Sequence, residues 1–329
     1  HTALMTTALL LLSFGGPEGP DDVMPFLRNV VRGRNVPDER LAEVAAQYER
    51  FGGVSPINEQ NRALKRAIES DFAEHDLDLP VYWGNRNWAP YLDDTVQEMI
   101  DDGVTKAFVF VTSAFGSYSG CRQYRENLEA AVESSTCAVG HPSIELQKLR
   151  LFYNHPGFCT PAAERLRAAV DSHQAEHGAE PRIVFTAHSI PLSMAATSDY
   201  EPQLREAADI VTELAGTSRD WDLVFQSRSG PPQVPWLEPD VVDHLEALNA
   251  DGCADVVIVP LGFVSDHMEV LFDLDTQAAE AAANASMRMT RARTVGADPR
   301  FVAMVRELVL EQIDGAPKLS LGTLGPWPD

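Results

Sequence analysis

Short apolar runs alternate with longer amphipathic stretches along the chain. The apolar runs are of strand length, and several are rich in β-branched residues. Strands are predicted at Ala8–Phe14, Val81–Gly84, Ala107–Thr112, Ile144–Lys148, Ile183–Thr186, Leu223–Gln226 and Val256–Pro260. Because strands that are covered by helices on both faces read as continuous apolar runs, the pattern predicts an α/β protein with parallel sheets.

The amphipathic stretches between these runs are predicted helices. They lie at Asp38–Phe51, Asn61–Glu74, Leu92–Asp102, Gln203–Leu214, Val241–Asn249 and Pro299–Gln312. The segment His155–His177 is the expected crossover helix, and Glu176–Pro181 is a polar turn.

The strands fall into one set before about residue 150 and another after about residue 180. We therefore expect two similar doubly wound, flavodoxin-like domains, residues 1–152 and 153–329, with a cleft between them. The last helix is expected to pack back across the first domain. No close sequence repeat supports a duplication, so this expectation depends on the pattern alone.

Polar, glycine-containing segments follow four of the predicted strands. They are Ser13–Pro17, Gly84–Trp88, Thr186–Pro191 and Pro260–Phe263. In open α/β sheets the ligand crevice lies outside the carboxyl ends of the strands. Two domains that face each other across such edges would enclose a deep cleft.

Composition and charge narrow the classes of partner. Acidic residues number 49 and basic residues 26, which gives a net charge of −23. This surface repels phosphate backbones and anionic lipid headgroups, so nucleic-acid binding and electrostatic membrane docking are not expected. A local arginine cluster could still bind an anionic substrate within a cleft. More often, a strongly negative surface serves only to keep a protein soluble.

Neither a membrane segment nor a disulfide framework is predicted. No run approaches the ~20 apolar residues of a spanning helix, and Ala8–Leu12 reads as a buried strand rather than a signal peptide. The four cysteines are far apart and form no CxxC pair. This sparse usage is typical of a reducing cytoplasm, where we expect the protein to act.

Candidate chemistry centres on His188 and Glu269. His188 ends an apolar strand, where a lone histidine is more often a hydrogen-bonded structural residue. However, Glu269, Asp273 and Gln277 are spaced to lie along one face of the helix that follows the last predicted strand. Capping of that helix explains the acidic residue Asp266, but it does not explain why Glu269 and Asp273 share one face. An imidazole facing a carboxylate can hold a divalent ion loosely and accept protons near neutral pH. With no HExxH motif and no close second histidine, a structural zinc site is not expected.

Several segments resemble the ferrochelatase family. Phe185–Pro191 and Gly262–Asp273 resemble its two most recognisable motifs, and Leu12–Pro17, Phe51–Pro56 and Gln226–Leu237 match as well. The matches occur in family order over nearly the whole chain. The opening and Gln226–Leu237 look most like actinobacterial members, which are similar to coproporphyrin III ferrochelatases.

The resemblance implies a chelatase-like fold and a set of site residues. His188 and Glu269 match the metal-insertion pair, and Asp273 would be a weaker metal ligand. The positions that match porphyrin contacts are Phe14, Ser55, Tyr124, Arg32 and Arg34. Arginine pairs well with substrate carboxylates, although a solvated basic turn explains Arg32 and Arg34 equally well.

Three departures from relatives stand out. Phe14 replaces a tyrosine that can reach the iron in some relatives, and Gln277 replaces a third carboxylate. Many actinobacterial relatives also hold a [2Fe–2S] cluster, and Cys159 matches its first ligand. The sequence has no cysteine after Cys253. Since such a cluster takes four ligands, it is expected only if a longer natural tail supplies more cysteines, and otherwise no cofactor is expected.

The implied reaction is insertion of Fe²⁺ into a porphyrin in haem biosynthesis, with coproporphyrin III as the expected substrate and Fe-coproporphyrin III as the product. Protoporphyrin IX is the alternative substrate. A cobalt or nickel chelatase of the same fold, and a non-catalytic haem- or metal-binding protein, are the rival functions. The expected partners are porphyrin and Fe²⁺ alone, and nothing in the sequence demands a second chain.

Overall fold

Eight strands and twelve α-helices alternate through the part of the chain that the structure describes. The computed structural model describes residues 6–34, 36–117, 123–136, 144–217, 220–231 and 233–326. The strands are β1 (Thr6–Ser13), β2 (Val81–Asn85), β3 (Val104–Val111), β4 (Glu145–Lys148), β5 (Arg182–His188), β6 (Trp221–Gln226), β7 (Asp255–Val259) and β8 (Arg288–Arg291).

The helices lie between the strands, as the alternating pattern predicts. They are α1 (Pro20–Val30), α2 (Asp38–Glu49), α3 (Ile57–Glu74), α4 (Leu92–Asp101), α5 (Gln123–Thr136), α6 (Pro156–His177), α7 (Leu192–Ala195), α8 (Tyr200–Ala215), α9 (Val241–Ala250), α10 (Met268–Phe272), α11 (Ala279–Asn284) and α12 (Pro299–Ile313). A π-helical turn, Asp273–Ala278, joins α10 to α11. No described helix is both long enough and apolar enough to span a bilayer.

The strands form two parallel sheets with the same topology. The order is β2-β1-β3-β4 in the first sheet and β6-β5-β7-β8 in the second, and all described pairings are parallel. Both orders follow the doubly wound, flavodoxin-like pattern. The predicted α/β class is confirmed, and the repeated order supports the internal duplication that the sequence pattern indicated.

Central strands of both sheets are apolar because helices cover both of their faces. Ala8–Leu12 in β1 and Val256–Ile258 in β7 are fully buried. The elements that were not predicted are α1, α5, α7, α11, the π-helical turn and β8. Strand β8 has the sequence RMTR, in which Met289 is the one apolar residue, so no apolar run marks it.

One hydrophobic cluster continues from the first sheet to the second. It includes Leu9 and Phe110 on one face of the first sheet, Phe185 and Val257 in the second, and α6, α8 and α12 between them. Helix α12 packs against both α6 and α3. The two sheets are therefore distinct but share a core, and the predicted boundary at residue 152 stays a prediction.

Charged contacts add to this apolar junction. Arg306 on α12 pairs with Asp71 on α3 at 2.7 Å. Arg150, which follows β4, makes a buried two-bond pair with Glu311 on α12. The residues after α12 lie along the surface, where the backbone N–H of Leu321 donates to Asn154 O at 2.8 Å. Helix α12 and the residues after it therefore contact both halves of the molecule.

Candidate functional site

The carboxyl ends of β5, β6 and β7 meet at one edge of the second sheet. His188 ends β5, and Gln226 ends β6 directly beside it in the parallel register. The segment after β7 approaches the same edge through Gly262, where an added Cβ would lie 2.6 Å from Ala187 Cβ. Only glycine allows this approach, which brings the α10 segment up to His188.

His188 presents one ring nitrogen to the cleft. Its Nδ1 lies 2.5 Å from Ser189 O, so we assign the proton to Nδ1, and the lone pair stays on Nε2. The Tyr200 hydroxyl donates to His188 O at 3.0 Å and fixes the backbone here. The side chain of His188 is 34% exposed, so Nε2 remains accessible.

Glu269 faces His188 across a gap. The distance from His188 Nε2 to Glu269 Oε1 is 3.9 Å, which is too long for a hydrogen bond. Two metal–ligand bonds of about 2.1 Å span up to about 4.2 Å, so one divalent ion fits between these atoms. The carboxylate is 42% exposed, which keeps the gap open to an entering ion.

The ring of His267 lies near the other oxygen of Glu269. Its Nε2 lies 3.7 Å from Glu269 Oε2, and its Nδ1 accepts the backbone N–H of Val270 at the start of α10. Burial lowers the pKa of His267, so the ring is neutral near pH 7. His267 was not among the site residues predicted from the sequence, and its place beside Glu269 was not foreseen.

Asp273 lies one turn beyond Glu269, at the start of the π-helical turn. Gln226 Nε2 and Ser227 Oγ both donate to its Oδ2. Burial, with the charge of Glu269, raises the pKa of Asp273 to about 6. Ser227 has a φ of +62°, a left-handed conformation that non-glycine residues seldom adopt, and this brings its hydroxyl to Asp273.

The predicted stripe of Glu269, Asp273 and Gln277 exists in a modified form. Residues 273–278 form a π-helical turn rather than regular α-helix, so the helix is wider there. Gln277 is exposed at the outer end of the stripe. The acidic groups therefore run from the cleft toward the surface and end in a neutral amide.

Tyr48, from the first half of the molecule, packs next to the helix that carries Glu269. It lies on α2, is almost fully buried, and packs in a cluster with Met268 and Phe272. Burial raises the pKa of Tyr48, and the charges of Glu269 and Asp273 raise it further. No motif singled out this tyrosine, because its role follows from packing between distant segments.

The predicted porphyrin-contact residues occupy different environments. Phe14 is half-buried after β1, with its ring centroid 6.2 Å from that of Phe26. Ser55 is buried against Gly16, where a Cβ would lie 2.7 Å from Ser55 Cβ. Arg32 and Arg34 are exposed on the turn after α1, and Arg32 Nη2 donates to Asn29 Oδ1 at 2.7 Å.

Tyr124 is enclosed in the core of the first half. It is 6% exposed and belongs to the cluster beneath β1 and β3, with the Arg86 guanidinium carbon 5.6 Å from its ring centroid. Burial raises its pKa to about 12. The preceding residues of its motif, Gly120–Arg122, lie outside the described residues. The structure thus gives Tyr124 a core environment, and its contact with porphyrin stays a prediction.

The described residues do not fit an iron–sulfur cluster. Cys159 is fully buried and its thiol donates to Tyr153 O at 3.3 Å. Burial, with the charge of Glu206, raises the pKa of the Cys159 thiol and keeps it protonated. Cys253 is the other described cysteine, and within the described ranges no three His, Cys, Asp or Glu side chains could hold a metal ion.

Comparison with known proteins relates nearly the whole chain to one protein family. The ferrochelatase family model matches residues 6–313. The coproporphyrin III ferrochelatase of Frankia alni is 55% identical over 98% of this chain and 84% of that protein. The one from Streptomyces griseus is 52% identical over 98% and 91%. Among solved structures, SirB from Bacillus subtilis with Fe³⁺ has a TM-score of 0.53 at 12% identity and covers 97% of this chain and all of that one, a likeness of fold.

Proposed function

Because the chain belongs to the ferrochelatase family, we propose that it inserts Fe²⁺ into coproporphyrin III to form Fe-coproporphyrin III. The observation that carries this proposal is the pair of His188 Nε2 and Glu269 Oε1, 3.9 Å apart at the edge of the second sheet. An open two-ligand pair suits an ion that has to be passed on. A closed four-ligand site would retain it.

In this proposal the ferrous ion enters along the acidic stripe. Asp273 is the weaker, outer ligand, and Glu269 and His188 hold the ion at the cleft. Imidazole and carboxylate ligands both suit divalent first-row metals. The neutral ring of His267 lies beside Glu269, with its Nε2 3.7 Å from the second carboxylate oxygen.

The same pair receives the displaced protons. A free-base porphyrin carries two pyrrole N–H groups, so insertion of Fe²⁺ releases two protons and leaves the total charge unchanged. His188 Nε2 and the Glu269 carboxylate can each accept one of them. Both groups can exchange with solvent, since both are partly exposed.

Substrate carboxylates distinguish the two porphyrins. Coproporphyrin III carries four propionates and protoporphyrin IX carries two, so the former gains more from polar and cationic contacts. Arg32 and Arg34 are proposed to pair with propionates, while Ser55 and the Phe14 ring contact the macrocycle. Tyr124 is the least accessible of the proposed contacts, because its ring is buried.

Replacement of His188 by alanine tests the proposal. Under anaerobic conditions, metallation is followed by absorbance with Fe²⁺ and coproporphyrin III. The wild-type chain should turn over, and His188→Ala should lose at least about 100-fold in kcat, because both a ligand and a proton acceptor are removed. Porphyrin affinity, measured by fluorescence quenching, should change less than about threefold, since the ring does not hold the propionates.

The control is His75→Ala, which removes an exposed histidine at the end of α3. It should keep wild-type turnover. Parallel assays with protoporphyrin IX, Co²⁺ and Ni²⁺ separate the rival substrates and metals. Wild-type turnover in His188→Ala would remove this residue from the mechanism. If the chain binds haem but metallates no porphyrin, it is a haem-binding protein and not an enzyme.

A further inference from the structure

We propose that Gln226 is a positioning residue that orients Asp273 toward the entering ferrous ion. The proposal rests on the function proposed above, in which Asp273 is the outer ligand of the metal route. Gln226 itself needs no contact with iron or porphyrin for this role. It acts through the carboxylate that it holds.

Gln226 touches three parts of the site at once. It is 1% exposed at the end of β6. Its Nε2 donates to Asp273 Oδ2 at 3.2 Å and lies 3.4 Å from Glu269 O. Its backbone carbonyl accepts the N–H of Ser189, the residue after His188, at 2.8 Å. One residue thereby connects the segments that carry all three proposed metal ligands.

The two hydrogen bonds on Asp273 leave one of its oxygens uncommitted. Gln226 Nε2 and Ser227 Oγ both use Oδ2. The carboxylate is therefore held from one side, and Oδ1 is free of these two donors. Fixing a ligand through a neighbouring hydrogen bond is the usual way in which proteins orient carboxylates at metal sites.

The amide also meets the helix where its geometry changes. Glu269 O belongs to the last regular turn before the π-helical turn begins at Asp273. A side chain that competes for a helix carbonyl favours a local departure from the α-helical ladder. Gln226 is thus placed to support the widened turn on which Asp273 stands.

A purely structural role accounts less well for the rest of the side chain. Among the described protein atoms, no donor reaches the buried Oε1 of Gln226. Burying an acceptor in this way costs stability, and each such case in a folded protein calls for an explanation. An apolar residue would close the end of β6 without this cost. A need for the amide N–H at Asp273 explains why a glutamine is kept.

Steady-state metallation of coproporphyrin III tests the proposal with Gln226→Met, which keeps the side-chain length and removes the amide. We expect the KM for Fe²⁺ to rise about tenfold, because the outer ligand is no longer oriented. The KM for porphyrin and kcat should change less than about threefold. In an Asp273→Asn background, the same substitution should add less than about twofold.

Gln203→Met is the matched control. Gln203 is also fully buried, and its Oε1 accepts the N–H of Gly116 at 2.7 Å, away from the metal route. This variant should leave the KM for Fe²⁺ within about twofold of the wild type even if its thermal stability falls. A second variant, Gln226→Asn, keeps an amide that is too short to reach Asp273 and should behave as Gln226→Met does.

The possible outcomes separate this proposal from the proposed function. A wild-type chain that inserts no Fe²⁺ overturns the function itself. An active wild type together with an unchanged KM for Fe²⁺ in Gln226→Met overturns only the positioning role. Independent, additive effects of Gln226→Met and Asp273→Asn overturn it as well. Loss of folded protein in both Gln226 variants would also overturn it, since Gln226 would then act on the fold.

Discussion

At the scale of single residues, the site depends on which atoms are left without a partner in the protein. His188 commits Nδ1 to Ser189 O and keeps Nε2 available. Asp273 commits Oδ2 to two donors. In each case one atom of the group is fixed by the fold while another stays available to a ligand. In the proposed function, this arrangement orients the ligands before the metal arrives and reduces the ordering needed on binding.

The buried carboxylate of Asp273 should reduce the stability of the fold. Its pKa is raised from 3.8 to about 6 by burial, so the ionised form is disfavoured in the folded state. Any stability linked to this group is present below pH 4 and lost as the pH rises through 6. Asp273→Asn should therefore raise the free energy of unfolding at pH 8 by about 1–3 kcal/mol, a gain that shrinks toward pH 4. Urea unfolding at several pH values measures it.

Asp222→Asn provides a control of opposite sign. Burial alone would raise the pKa of Asp222, but two hydrogen bonds from Arg182, with His244 Nε2 3.1 Å away, hold this pKa well below its usual range. Its ionised form stabilises the fold above pH 4, so the substitution should destabilise the protein at pH 8. A destabilised Asp273→Asn at pH 8 would mean that its hydrogen bonds outweigh the cost of its burial.

The proximity of His188 and Glu269 could be predicted from the sequence, because each stands at a position with a simple geometric meaning. A histidine at the end of an apolar strand lies at the sheet edge, and an acidic residue at a helix start lies nearby. Tyr48 and Gln226 gave no such indication. Their roles depend on which distant segments pack together, and one sequence does not contain that information. The enclosure of Tyr124 depends on packing in the same way.

At the scale of elements, β8 and the π-helical turn shape the site although neither was predicted. Strand β8 ends in Arg291, which binds Asp266 through Nη1 at 2.7 Å and Asp275 through Nη2 at 2.8 Å. Asp266 precedes His267, and Asp275 lies in the π-helical turn. One guanidinium thus holds both flanks of the segment that carries Glu269. The sequence could not reveal this, because the strand itself has no apolar run.

Arg291→Lys should loosen that segment. Arginine spans two carboxylates with a planar fork, and a single ammonium cannot reproduce this geometry. Since Arg291 is only 14% exposed, we expect a loss of about 1–3 kcal/mol in the free energy of unfolding and a several-fold fall in kcat/KM for Fe²⁺. Urea unfolding and the metallation assay measure the two effects.

Arg288→Lys is the matched control on the same strand. Arg288 pairs with Asp255 at 2.5 Å at the other end of β8, and its side chain is 43% exposed. Lysine keeps a positive charge at this partly exposed position, and the buried Asp255 keeps its contact with His173 Nε2 at 2.9 Å, so stability should fall by no more than about 1 kcal/mol and turnover should stay near wild type. If the two substitutions lower stability and kcat/KM equally, Arg291 stabilises strand β8 and has no specific effect on the segment that carries Glu269.

At the scale of the whole molecule, the two sheets repeat one topology and share one hydrophobic cluster, although each also has a cluster of its own on its other face. The cluster that includes Phe110, Phe152 and Phe301 continues into the second sheet through Phe185. The sequence predicted the repeated α/β pattern because local periodicity determines it. The shared cluster depends on contacts between residues far apart in the chain, which periodicity does not report.

The buried pair of Arg150 and Glu311 is the sharpest test of this junction. Arg150 Nε and Nη2 donate to the two oxygens of Glu311 at 2.8 Å each, and the side chains are only 4% and 1% exposed. Glu311→Leu leaves the Arg150 charge buried and unpaired, so we expect a loss of about 3–5 kcal/mol in the free energy of unfolding. Urea unfolding, followed by tryptophan fluorescence and circular dichroism, measures it.

The double variant Arg150→Met/Glu311→Leu separates the cost of an unpaired charge from a general packing defect. Replacing both partners with apolar side chains should recover most of the loss, because neither charge then needs compensation. If the pair joins the two halves, both probes should show one transition in the wild type and two in Glu311→Leu. A Glu311→Leu protein as stable as the wild type would assign the junction to the shared apolar cluster alone, and α12 would then hold the sheets together through Phe301 and its neighbours rather than through charge.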